Sequence, residues 1–135
     1  MYSSNIEKLK GQTPVEISGM REGSEEVVIG TKEGNTLLLR YEPDCCATCE
    51  IYQVDGDPID LLGAPLLMCE QVTGESLGFI DDQTEDSHTW TFVKFGTIHG
   101  YVTLRWYGRS NGYYSEAPTA YYIDKDEPGY HRWRG

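Results

Sequence analysis

Cations are scarce in this chain: Lys plus Arg number 11 against 22 Asp plus Glu, a formal net charge of -11. A general grip on nucleic acid needs cations to replace the counterions around phosphate, so this balance disfavours it. It leaves room for one small anion in a local arginine pocket. Long apolar runs are missing too. No stretch approaches the ~18 residues of a membrane span, and residues 1–10 lack the charged-then-apolar pattern of a secretory signal. Paired metal-ligand knuckles are also absent. Cys45, Cys46 and Cys49 cluster, Cys69 stands alone, and His88, His99 and His131 fall at no recognised ligand spacing. No metal site and no cofactor are expected. The cysteines read as reduced thiols, with at least one of Cys45 and Cys46 buried as a small hydrophobe. No P-loop, Rossmann glycine fingerprint, nucleophile elbow or zinc-protease helix occurs. With no catalytic set organised by spacing, the expectation is a protein that is not an enzyme.

What is present is a folded domain. The chain has 135 residues, with 39% apolar residues and 10 tyrosines. That length suits one domain, which buries roughly two-thirds of its unfolded surface without metal or disulfide staples. Ser4 and Glu7 have capping-box spacing, with Ile6 and Leu9 on one helical face, so a short helix opens the chain and Pro14 stops it. Residues 15–20, 25–31 and 36–41 read as strands. Lys32, Glu33, Gly34 and Asn35 supply turn chemistry between the last two, predicting a hairpin. Pro58 can open a second short helix that Gly63 ends. Residues 65–73 read as a strand, and the acid-rich stretch 74–87 as a long loop without EF-hand spacing. Residues 88–95, 101–107 and 117–123 read as three aromatic-rich strands joined by glycine-bearing turns. Alternation places Tyr101, Thr103, Arg105 and Tyr107 on one face, with Val102, Leu104 and Trp106 on the core face. The expected fold is α+β, mainly antiparallel β-sheet with one or two short helices. It forms a single domain over residues 1–124, with a flexible C-terminal tail over 125–135.

One segment carries the candidate chemistry. Arg105-Trp106-Tyr107-Gly108-Arg109-Ser110-Asn111-Gly112-Tyr113-Tyr114-Ser115-Glu116 packs arginines, an Asn-Gly turn and aromatics together. Arginine offers a rigid fork of donors that matches phosphate. Tyrosine or tryptophan offers a plate on which a base stacks. Asn-Gly permits a turn that presents backbone amides to an anion. The same composition also describes an ordinary aromatic hairpin with solvated arginines, in which Tyr114 and Glu116 only pair across the strands.

The stretches Asp44-Cys45-Cys46, Leu61-Leu62-Gly63, Trp90-Thr91-Phe92-Val93-Lys94, and 100–108 with 110–116 resemble a family of small bacteriophage proteins. The resemblance runs from about Glu25 to Tyr122. The double cysteine, the Leu-Leu-Gly and the Ser-Asn-Gly-Tyr-Tyr turn also resemble phage Thoeris anti-defence proteins of the first type. That resemblance implies a non-enzymatic sponge, which binds a cyclic nucleotide immune signal such as a cyclic ADP-ribose isomer without cleaving it. It also implies a homodimer or higher homo-oligomer working in the cytoplasm of the infected bacterial host. The bulky strand Leu104-Arg105-Trp106-Tyr107 departs from the sponge pattern.

On this reading Arg105 and Arg109 hold phosphates, with Arg109 in a turn. Asn111 and the Gly112 amide bond ribose or phosphate oxygens. Tyr107, Tyr113 or Trp90 stacks on a base, and Phe79 closes over the ligand. Core packing is the competing role for Trp90 and Phe92, and is expected of one of them. The alternative function is an acidic protein–protein inhibitor of a host defence or DNA-binding enzyme, acting as a DNA mimic. Such mimicry needs carboxylates in stripes spaced like duplex phosphates, whereas the acids here are scattered, with local runs at 22–26 and 81–86.

Overall fold

A computed structural model describes residues 4–42, 47–75, 87–110 and 116–126. Among the described residues, eight strands form two four-stranded antiparallel sheets. In chain order they are β1 (Pro14–Ser18), β2 (Glu26–Thr31), β3 (Thr36–Arg40), β4 (Ala47–Asp55), β5 (Met68–Glu75), β6 (Ser87–Thr97), β7 (Gly100–Ser110) and β8 (Thr119–Ile123). The first sheet has the order β1-β2-β3-β8 and the second β4-β7-β6-β5.

Period-two alternation builds the core. Val27, Ile29, Leu37 and Leu39 from the first sheet join Cys49, Ile51, Val93, Phe95, Val102, Leu104 and Trp106 from the second in one buried cluster. The two inner faces thus pack as a sandwich. The expected β2–β3 hairpin is present, with Val28 opposite Leu38 and Gly34 at a φ of 97° in the turn. Gln12 braces that turn, accepting from Thr31 Oγ1 at 2.9 Å and Asn35 Nδ2 at 3.0 Å.

Sheet edges need partners for their free amides and carbonyls. On one side the β1–β2 connection supplies them: Gly23 N donates to Ile51 O and Ile51 N to Ser24 O, both at 2.8 Å, along the outer edge of β4. On the other side, the helix α1 (Ser4–Glu7) touches both β5 and β8. Ile6 in the helix and Leu9 just after it are fully buried, and Asn5 Nδ2 donates to Ala120 O at 2.7 Å.

Three expectations change. The mainly antiparallel sheet is present, but α1 is a single turn and Pro58–Leu61 is a 3-10 helix, so the class is essentially all-β rather than α+β. Pro14 does more than stop a helix; it begins β1. The third aromatic strand is no hairpin partner of the second, because β8 crosses to the other sheet and pairs with β3. No described helix is long and apolar enough to cross a membrane. The tail beyond residue 126 lies outside the described residues.

Candidate functional site

The outer face of the second sheet concentrates the candidate residues. In the β6–β7 ladder, His88 lies opposite Arg109, Trp90 opposite Tyr107, and Phe92 opposite Arg105. Because side chains alternate, these residues all leave the sheet on the side away from the core, while Thr91, Val93 and Phe95 turn inward and are buried. Arg105, Tyr107, Trp90 and Arg109 are therefore brought to one face. Arg109 belongs to β7 and not to a turn, which corrects the sequence expectation. Asn111, Gly112, Tyr113 and Phe79 lie outside the described residues.

The rings form a connected cluster. Trp90 and Tyr107 stand 4.7 Å apart at 51°, and Tyr52 from β4 meets Trp90 edge-on at 5.4 Å and 87°. His88 lies 5.6 Å from Tyr107, and its Nδ1 shares a hydrogen bond with the Tyr107 hydroxyl. The Arg105 guanidinium sits 5.7 Å from the Trp90 ring centre and 5.8 Å from that of Phe92, within cation–π range of both. Its Nε is shielded from water and has no hydrogen-bond partner among the described residues. Trp90 and Phe92 are both half-buried on this outer face. Core packing, expected for one of them, falls instead to Val93 and Phe95 in the same strand.

Tyr52 is a member of this cluster that the sequence reading missed. It falls where the β4–β7 register shifts between Ile51 and Gln53. A bulge there gives β4 one extra residue, and bulges commonly re-aim a side chain. Tyr52 accordingly stands 57% exposed, leaning over β7 toward Trp90. Nothing in the local sequence signals a bulge. His88 and Phe92 were also missed, yet their two-residue spacing from Trp90 was a usable signal.

Behind the face lies a buried polar group. Glu116 Oε1 accepts from Thr89 Oγ1 at 2.6 Å, and Oε2 accepts from Ser110 Oγ. Glu116 is 8% exposed, so its expected role as a surface hairpin pair is replaced by an anchoring one. Two thiols share the interior. Cys49 is pushed up to about 12, mainly by burial and then by the carboxylates of Glu25, Glu116 and Glu50. Burial likewise raises Cys69 to about 12, with Lys10 opposing and Glu7 adding. Neither is a thiolate nucleophile at neutral pH. Among the described residues, no group of three or more His, Cys, Asp or Glu is placed to hold a metal ion. A separate open groove of about 500 Å³ lies at the β1–β2 connection, where Arg21 sits with Glu25 and Glu26. Two of its lining residues, Gly23 and Ser24, are bonded to the Ile51 backbone, next to Tyr52.

The family described as "Domain of unknown function (DUF7448)" matches residues 7–119. The chain belongs to that family. No curated protein and no solved structure matches the chain. The match takes in the strands that build the aromatic face of this DUF7448 domain, β4, β6 and β7. It also includes Glu116 and the segment between Ser110 and Glu116.

Proposed function

We propose that this DUF7448 domain binds a small phosphorylated ligand without turning it over, and that the ligand is a cyclic nucleotide immune signal such as a cyclic ADP-ribose isomer. The reading makes the protein a phage anti-defence sponge acting in the cytoplasm of the infected bacterial host. The observation that carries it is Arg105, held between Trp90 and Phe92 with an unpartnered Nε, beside the Tyr52–Trp90–Tyr107 rings. A base stacks on such rings, and a guanidinium in a half-buried site is a strong phosphate partner. Arg109 adds a second cation on the same face. Asn111, Gly112, Tyr113 and Phe79 complete the proposed ligand set from outside the described residues.

Affinity without chemistry asks only for complementary contacts. Exposed Tyr52, Tyr101 and Ile98 give the domain apolar surface that a homodimer or higher homo-oligomer would hide. The decisive experiment incubates the protein with cyclic ADP-ribose, and separately with lysate from phage-challenged bacteria carrying a TIR defence system. The protein is then washed, heat-denatured, and the released nucleotides identified by mass spectrometry. Retention of an intact cyclic nucleotide by wild type and its loss in Arg105→Ala support the reading. Retention of no nucleotide in either arm overturns it and returns the chain to the acidic inhibitor alternative. Light scattering at tens of micromolar decides the assembly, and a monomer mass contradicts the oligomer.

A further inference from the structure

Glu116 is the buried charged side chain among the described residues. Filling space does not call for a carboxylate at this place. An apolar residue of similar volume would occupy it without giving up the hydration of a charge. What the carboxylate adds is direction, because its two oxygens accept from hydroxyls on two different strands, those of Thr89 and Ser110. The Glu116 backbone is equally committed. It lies so close to β7 that a Cβ on Gly108 would sit 1.8 Å from the Glu116 carbonyl oxygen.

The two hydroxyl partners have telling neighbours. Thr89 lies between His88 and Trp90, and Ser110 follows Arg109. In the ladder, Thr89 faces Gly108 and His88 faces Arg109. Glu116 thus ties β6 to β7 from the core side, at the same strand positions whose outer side carries His88, Trp90, Tyr107 and Arg109. Sheet side chains stand nearly perpendicular to the backbone, so fixing two strand ends from beneath fixes the angles of the residues above.

We infer that Glu116 is a positioning residue: through Thr89 and Ser110 it sets the relative placement of the His88–Tyr107 pair, Trp90 and Arg109 on the outer face. Its importance for binding rests on the function proposed above, whereas its effect on the geometry does not. Glutamine can keep both contacts, since its oxygen accepts from one hydroxyl and its amide donates to the other. Leucine keeps the volume and keeps neither contact.

The test reads His88 directly. Imidazole nitrogen shifts by NMR report the His88 Nδ1–Tyr107 hydrogen bond, with the signal assigned by its loss in His88→Gln and its broken state defined by Tyr107→Phe. Glu116→Leu is expected to stay folded, to move the His88 signal toward that of Tyr107→Phe, and to weaken cyclic ADP-ribose binding by about tenfold or more. Glu116→Gln is expected to restore the wild-type signal and affinity. If Glu116→Leu does not fold, Thr89→Val combined with Ser110→Ala removes the same two contacts from the other side and should give the same shift. Wild-type His88 signals in a folded Glu116→Leu protein, or in that double variant, overturn the inference. If wild type binds no cyclic ADP-ribose while the His88 signal still responds, the positioning role stands and the proposed ligand falls.

Discussion

Replacing Gly108 by alanine should be among the most damaging small changes available to this domain. The added Cβ would stand 1.8 Å from the Glu116 carbonyl oxygen, 2.6 Å from its carbonyl carbon and 2.9 Å from its Cα. Ordinary contact is roughly 3.5 Å, so one backbone must retreat by on the order of 1.5 Å. Neither can do so freely. Gly108 is paired on both sides, to Thr89 and to Cys49. Glu116 is held by the two hydroxyls that its carboxylate accepts. Moving it sacrifices those bonds, at roughly 1.5–3 kcal/mol each for hydrogen bonds to a charged group. The expected cost is therefore about 3–6 kcal/mol, a large share of a small domain's total stability. Gly96→Ala is the control. Its new Cβ would crowd the ring of Tyr101, 2.6 Å away, and meet Met68 Cβ at an ordinary 3.6 Å; the crowded ring belongs to a side chain 61% exposed that can swing aside. Urea unfolding followed by tryptophan emission would measure both. A Gly108→Ala protein within about 1 kcal/mol of wild type, or a Gly96→Ala protein damaged as severely, would refute the packing argument.

The buried thiols predict alkaline weakness. Both are raised from an ordinary 9.0 to about 12, so their stabilising contribution is complete below pH 9 and is lost as pH climbs toward 12. At pH 11 each disfavours the folded state by about 3 kcal/mol relative to pH 8, at ~1.4 kcal/mol per unit. Urea titrations at both pH values should show the drop, and a Cys49→Ala, Cys69→Ala protein should lose most of it; an unchanged slope contradicts the assignment. On the outer face, Arg105→Lys should keep the charge over Trp90 but lose the paired donors, weakening cyclic ADP-ribose binding by roughly tenfold. Calorimetry showing wild-type affinity for the lysine variant would remove the phosphate fork from the proposal. Trp90→Ala should cost about 1–3 kcal/mol of binding through lost stacking, and full affinity in a folded variant would dismiss the ring as a base platform.

Local patterning was legible in the sequence because it needs only short-range information. The β2–β3 hairpin followed from Gly34 and Asn35 between two apolar runs. The split of β7 into Arg105 and Tyr107 against Leu104 and Trp106 followed from alternation. The same rule applied to β6 would have placed Trp90 and Phe92 outside, opposite Val93 and Phe95. Their hydrophobicity suggested core, and parity decided otherwise. Long-range choices were not legible. Nothing local tells β8 to leave the second sheet for β3, so Glu116 read as a hairpin residue although it is a buried anchor. The β4 bulge that raises Tyr52 is a property of two strands together and has no single-strand signature. Helix signals at Ser4 and Pro58 were real, but each yields one turn because tertiary packing takes the chain onward.

The net charge of -11 looks at first opposed to holding a phosphorylated ligand, and the geometry reconciles the two. Charges separated by more than a Debye length, about 8 Å at physiological salt, are largely screened. The acids beyond that range therefore act weakly on a ligand already seated, while Glu50, opposite Tyr107, lies within it. Arg105 is half-buried against Trp90 and Phe92, where screening is much less effective. A long polyanion experiences the domain differently. Its phosphates extend beyond the arginines and Lys94 and meet Glu70 as well as Glu50, both exposed on the strands flanking β6 and β7. Under the proposed function, the acidic surroundings exclude nucleic acid, the most abundant phosphate in a cell, while the arginines retain a ligand small enough to fit between the rings. Discrimination then comes from unfavourable contacts with the wrong partner as much as from good ones with the right partner. An overall excess of carboxylates and a few cations on an aromatic face are parts of the same selectivity.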